Sequence, residues 1–97
     1  MKKITKDSVQ AFESNRPFKR ANMEVVRTPE GSKLLLHGNC IAEKIGQKLF
    51  VSSCDWETVT TKERLNGLQG VDVVQRDYQW YLNGKKWNGQ RVEVAKW

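Results

Sequence analysis

Ninety-seven residues with a net charge of +6, 38% of them hydrophobic and four of them tryptophan, describe a single small folded domain spanning 1–97. Two cysteines are too few for a disulfide framework, and no segment approaches the roughly 18 apolar residues of a membrane span. Disulfide-stapled scaffolds and helical membrane proteins are excluded. With no apolar run behind Met1-Lys2-Lys3 to make a signal peptide, an intracellular, reducing site of action with both thiols free is expected.

The charge is uneven. Residues 1–20 carry six basic and two acidic side chains, whereas residues 50–97 carry seven and six. A basic N-terminal patch invites an anionic partner such as nucleic acid or an acidic protein face, and plain solubility is the competing reading.

In chain order, a first helix is predicted over residues 6–14. Thr5 would cap it, Ile4 would staple onto Val9, and Val9 and Phe12 would share its buried face. Asn15-Arg16-Pro17 ends it, because a residue before proline is pushed out of the helical region. Phe18-Lys19-Arg20-Ala21-Asn22 reads as a basic connector. A hairpin of residues 23–27 and 32–37 follows around Thr28-Pro29-Glu30-Gly31, with Gly31 in the left-handed turn position. Gly38-Asn39 reads as a bulge before the strand resumes through Cys40-Ile41-Ala42, and Ile45-Gly46 turns the chain into a strand over 47–52.

Residues 56–68 carry the clearest helix punctuation. Thr60 is the expected N-cap, with Glu63 reaching back to complete a capping box and Gly67 as the left-handed stop. So short a helix cannot persist by propensity, so Leu65, Leu68 and Trp56 should pin it to a sheet. Beyond it, residues 71–75 and 79–82 pair as strands.

Asn83-Gly84 is the preferred type I′ dipeptide and sets a register. Leu82 faces Lys85, Tyr81 faces Lys86, Trp80 faces Trp87, and Val73 lies opposite Leu82. Val73, Trp80, Leu82 and Trp87 therefore form one wall, with Tyr81 and Lys86 on the other. Asn88-Gly89 turns the chain into a last strand with Val92 and Val94. The predicted fold is α+β: a small antiparallel sheet of hairpins, a three- to four-strand meander first, with an N-terminal helix and one short capped helix packed on it.

No motif specifies a reaction, so the expectation is a non-enzymatic protein with neither cofactor nor metal. His37 and Cys40 with Cys54 lack the paired knuckle of a zinc site, and Cys40 reads as a small core residue. The acidic residues Asp55, Glu57, Glu63, Asp72 and Asp77 are scattered among basic neighbours and read as solvated charges. Aromatic and basic residues do interleave, and bases can stack on aromatics while cations neutralise phosphates. The candidate partner-binding or nucleic-acid-binding residues are Arg16, Phe18, Lys19, Arg20, Tyr81, Lys85, Lys86 and Arg91.

At Leu36-His37-Gly38-Asn39-x-Ile41-Ala42, Thr60-Thr61-Lys62-Glu63-Arg64-Leu65-Asn66 and Trp80-Tyr81-Leu82-Asn83-Gly84-x-x-Trp87, the chain resembles small accessory proteins of tailed bacteriophages. The likeness runs over about residues 4–89 in the same order. The resembling proteins more often carry glycine where this chain has Asp55, just before the tryptophan. The resemblance implies a phage-encoded binding module in the cytoplasm of an infected bacterium, modulating a host or anti-phage defence complex through a protein partner. A basic chain cannot mimic DNA by acidic charge. Direct nucleic-acid binding is the alternative.

Overall fold

A computed structural model describes residues 1–94. The elements are α1 (Lys3–Glu13), β1 (Phe18–Arg20), β2 (Met23–Thr28), β3 (Gly31–Leu36), β4 (Asn39–Ile45), β5 (Lys48–Val51), α2 (Val59–Leu65), β6 (Val73–Arg76), β7 (Gln79–Leu82), β8 (Lys85–Lys86) and β9 (Val92–Val94). The strands make two antiparallel sheets, one ordered β1-β2-β3-β4-β5-β9 and one ordered β6-β7-β8. The architecture is the α+β arrangement that the sequence predicts.

The larger sheet exceeds the predicted meander for two reasons. Phe18-Lys19-Arg20 is a strand, not a connector, because Phe18 and Arg20 pair with Val25 and Met23. The last strand also leaves the C-terminal hairpin and pairs with β5, Leu49 opposite Val94.

One face of that sheet is the core. Met23, Val25, Leu34, Leu36, Ala42, Leu49, Val51 and Val94 are buried on it, with Val9, Ala11 and Phe12 of α1 in the same cluster. The helix starts earlier than predicted. Lys2 occupies the N-cap with no side-chain cap, and Thr5 is buried inside the helix, where it bonds to α2 instead of capping its own chain. The sheet satisfies the other end: Ser32 Oγ donates to the Phe12 carbonyl at 2.7 Å and Lys44 Nζ to the Glu13 carbonyl at 2.8 Å. The Phe12 carbonyl also accepts from the Asn15 N–H at 3.2 Å, so the last turn of the helix is tied both to its own chain and to the sheet. Burial pushes the Lys44 ammonium down in pKa, with Glu13 pulling the other way.

Two turns differ from expectation. His37 and Gly38 both have positive φ (51° and 80°), so they form a two-residue turn of the I′ kind between β3 and β4. The bulge lies at Ile41, where pairing slips from Leu34–Ala42 to Leu35–Cys40. Gly31 is not left-handed; a Cβ there would run into the Lys44 carbonyl, so glycine serves close strand approach.

The short helix is capped two residues earlier than predicted. Thr58 Oγ1 accepts from the Thr61 N–H at 3.1 Å, and Thr60 lies within the first turn. Glu63 does not close a capping box; its carboxylate accepts from Thr5 Oγ1 at 2.5 Å and from Arg64. Gly67 is not left-handed either. An added Cβ would sit 2.6 Å from Thr5 Cγ2, so glycine here lets the end of α2 approach α1. Leu65 and Leu68 are buried as expected, but Trp56 is 58% exposed and pins nothing.

The small sheet has the register that Asn83-Gly84 dictates. Tyr81 pairs with Lys86, Leu82 with Lys85, and Val73 with Leu82. Trp80 and Trp87 are 4% and 7% exposed, with ring centroids 6.1 Å apart. The Asn66 side chain ties α2 to this sheet by exchanging two hydrogen bonds with the Val73 backbone, at 2.6 and 2.9 Å.

Candidate functional site

The eight residues singled out in the sequence fall into two groups. Arg16, Phe18, Lys19 and Arg20 lie at or beside β1, one edge of the six-stranded sheet, whereas Arg91 precedes β9 at the other. Five inter-strand steps of roughly 4.8 Å separate those edges, about 24 Å in all. Tyr81, Lys85 and Lys86 of the small sheet complete the second group, the two lysines lining a depression with Val92, Glu93 and Val94.

Several of these side chains already have partners. Phe18 is half-buried against the core, and the Arg20 guanidinium stacks over it at 5.2 Å while bonding Asp7 at 2.6 Å. Arg20, with Lys3 beside it, holds the Asp7 carboxyl below the usual range. Arg91 lies over Phe50 at 4.4 Å and bonds Glu43 at 2.8 Å. Tyr81 is half-buried under the Arg76 guanidinium at 4.6 Å. Arg16, Lys19, Lys85 and Lys86 are exposed.

Both thiols are free and half-buried: Cys54 Sγ donates to the Cys40 carbonyl at 2.8 Å and Cys40 Sγ to the Ala42 carbonyl at 3.3 Å. Burial, with Glu43 adding to it, pushes the Cys40 thiol up in pKa, away from nucleophilic character. Among the described residues no cluster of three histidine, cysteine or acidic side chains could hold a metal ion.

A different place in the fold gathers binding chemistry that the sequence reading did not assemble. Leu36, His37, Asn39 and Ile41 from the β3–β4 hairpin, Ser53 and Trp56 from the segment after β5, and Thr58, Thr60 and Thr61 at the start of α2 line an open depression of about 440 Å³. That volume is within the roughly 300–1,000 Å³ range of ligand pockets. Leu36 and Ile41 are buried core residues that supply apolar surface.

Backbone geometry sets the walls. The Trp56 N–H donates to the Ser53 carbonyl at 2.9 Å, closing a tight turn whose central residues Cys54 and Asp55 both have positive φ, 52° and 63°. This turn projects Trp56, and the I′ turn at His37-Gly38 projects His37. Thr58 and Thr61 spend their hydroxyls on one another and on the helix cap. By contrast, the side-chain polar atoms of His37, Asn39, Trp56 and Thr60 have no hydrogen-bond partner among the described residues. The buried Trp87 behaves oppositely, its Nε1 donating to the Gln90 carbonyl at 2.8 Å.

Lysine, arginine, aspartate and glutamate are absent from the lining. Asp55 and Glu57 flank Trp56 in the chain, both exposed and neither ion-paired among the described residues. The Glu57 carboxylate lies beside Ser53 and Gly89, where a Cβ on the glycine would come within 2.6 Å of Oε2. The depression can therefore hold an apolar group, donate and accept a few hydrogen bonds, and favour a nearby cation.

Segments 36–42 and 60–66 both contribute lining residues. A left-handed residue in a tight turn is where glycine fits without strain, and Asp55 occupies it. No helix among the described residues is long and apolar enough to cross a membrane. No curated protein and no solved structure matches the chain. The family model of the Kyanoviridae Gp96 protein matches residues 1–96, so this chain is a phage protein and belongs to that family.

Proposed function

We propose that the protein is a non-enzymatic binding module that docks, in the cytoplasm of the infected host, onto a host or anti-phage defence complex. The observation that carries the reading is the depression at Trp56, an exposed indole and three further polar side chains without partners above an apolar floor. Exposed tryptophans in pockets of this kind are the usual anchors of protein interfaces. Membership of a phage family supplies the setting.

Affinity capture from host lysate tests it, comparing the parent chain with Trp56→Ala and with and without nuclease. The expected result is a protein partner that survives nuclease and is lost from the variant. Recovery that depends on nucleic acid and ignores Trp56 would contradict it.

A second reading, direct nucleic-acid binding, is favoured by one observation. The outer face of the small sheet presents Tyr81 beneath Arg76 with Lys86 opposite, and Lys85 is next to it. Stacking and phosphate neutralisation could act together there.

A further inference from the structure

We infer that the Trp56 depression receives one large apolar side chain, aromatic by preference, from a partner-protein segment that carries a lysine or arginine beside it. The inference rests on the binding-module reading and specifies its ligand.

Shape argues first. About 440 Å³ is near the lower end of ligand pockets, which suits one anchor residue with its own backbone better than an extended cofactor. Leu36 and Ile41 form an apolar floor and Trp56 offers a broad ring face at the rim, so an aromatic side chain gains both burial and ring–ring contact.

Hydrogen bonding narrows the chemistry. The Asn39 carboxamide offers a donor and an acceptor side by side, which matches the N–H and C=O of a peptide unit. The Trp56 indole N–H is a further donor, and the Thr60 hydroxyl can do either. All three are unspent among the described residues.

Charge decides between a peptide and a nucleotide, because either could stack on an indole. The lining contains no lysine or arginine, and the charges that flank Trp56 are the unpaired carboxylates Asp55 and Glu57. Within a Debye length of about 8 Å these carboxylates repel a phosphate and attract an ammonium or guanidinium group. The lysines and arginines behind the protein's net +6 all lie outside the lining, and Lys62, which follows the lining residue Thr61, lines a separate depression with Met1, Val59 and Glu63. A cation-bearing protein segment is the occupant that complements the site.

The test is a two-dimensional ¹⁵N–¹H NMR titration of the full chain with three probes: N-acetyl-lysyl-tyrosyl-lysine amide, its glutamyl counterpart and AMP. Saturable shifts of the Trp56 indole and Asn39 carboxamide signals are expected with the lysyl peptide, at roughly fivefold higher affinity than with the glutamyl peptide, as two exposed charge contacts allow. The isosteric double variant Asp55→Asn, Glu57→Gln should keep the lysyl peptide bound and bring that ratio close to one. Shifts with AMP while the lysyl peptide is silent would overturn the inference, as would equal binding of both peptides by the parent, or no saturable shift with any probe. Loss of peptide binding alongside intact, Trp56-dependent capture of a protein from lysate would discard this ligand chemistry and leave the binding-module reading standing.

Discussion

Thr5, Glu63 and Arg64 join the two helices through a connected set of polar bonds. Thr5 donates to Glu63 at 2.5 Å and accepts from the buried Arg64 at 3.0 Å, while Arg64 also pairs with Glu63 and donates to Asn22 at 3.2 Å. Burial works to raise the Glu63 pKa, but the bonds from Thr5, Arg64 and the Lys2 N–H outweigh it and hold the carboxyl below its ordinary 4.5. A depressed carboxylate contributes stability that is complete above its unfolded pKa and disappears as pH falls through the native one. Acid titration of stability should therefore show a decline beginning near 4.5. Glu63→Gln should weaken that decline without abolishing it, because Asp7 is depressed by Arg20 and Lys3 and titrates in the same direction. An unchanged acid limb in Glu63→Gln would refute the linkage. The capping geometry makes a companion prediction: Thr58→Ala should cost about 1 kcal/mol in chemical denaturation, and Thr60→Ala under about 0.5 kcal/mol. Gly67→Ala should cost about 1–3 kcal/mol by overpacking against Thr5 and Val9, with no contribution from a left-handed backbone.

At the scale of elements, the C-terminal hairpin was fully legible and the turns around the candidate site were not. Asn83-Gly84 announces a type I′ turn, and from it the pairing of Tyr81 with Lys86 and the buried wall of Trp80 and Trp87 follow by alternation alone. Turns of the same handedness at Cys54-Asp55 and Asp77-Tyr78 contain no glycine, so they lack the punctuation that marks Asn83-Gly84. His37-Gly38 carries a glycine, yet the run of apolar residues on both sides disguises a hairpin as a bulged strand. Phe18-Lys19-Arg20 likewise lacks strand alternation and gains its structure by pairing with β2. The Trp56 depression was invisible for a stronger reason, since it is assembled from segments far apart in the chain whose residues individually look like turn and cap. The wall assignment gives a measurable contrast. Trp80→Ala and Trp87→Ala should each cost about 3–5 kcal/mol. Trp56→Ala, removing a side chain that remains more than half exposed, should shift the denaturation midpoint by under about 1 kcal/mol. Equal losses at all three would mean that Trp56 is part of the core.

Across the whole molecule, charge and candidate site are segregated. The basic residues picked out in the sequence are split between the two edges of the six-stranded sheet and β8 of the small sheet, and two of them already serve as internal partners: Arg20 for Asp7 and as a cover for Phe18, Arg91 for Glu43 and as a cover for Phe50. If the β1 edge touched phosphates, replacing Arg16, Lys19 and Arg20 together would weaken binding to all nucleic-acid sequences alike. It would also flatten the log-affinity against log-salt slope by about one unit for each phosphate no longer neutralised. Partner capture at Trp56 requires no such salt-dependent complex, and gel shifts across a salt series check this. The proposed partner seats at Trp56. Site-specific photocrosslinking during infection tests it most directly, with a photoreactive residue placed at Val59, which is 77% exposed between two lining threonines, or at Tyr78, which is 98% exposed on the small sheet. A discrete protein adduct is expected from position 59 that disappears on adding Trp56→Ala, and none from position 78. An adduct from position 78 with none from 59, or a position-59 adduct indifferent to Trp56, would contradict it.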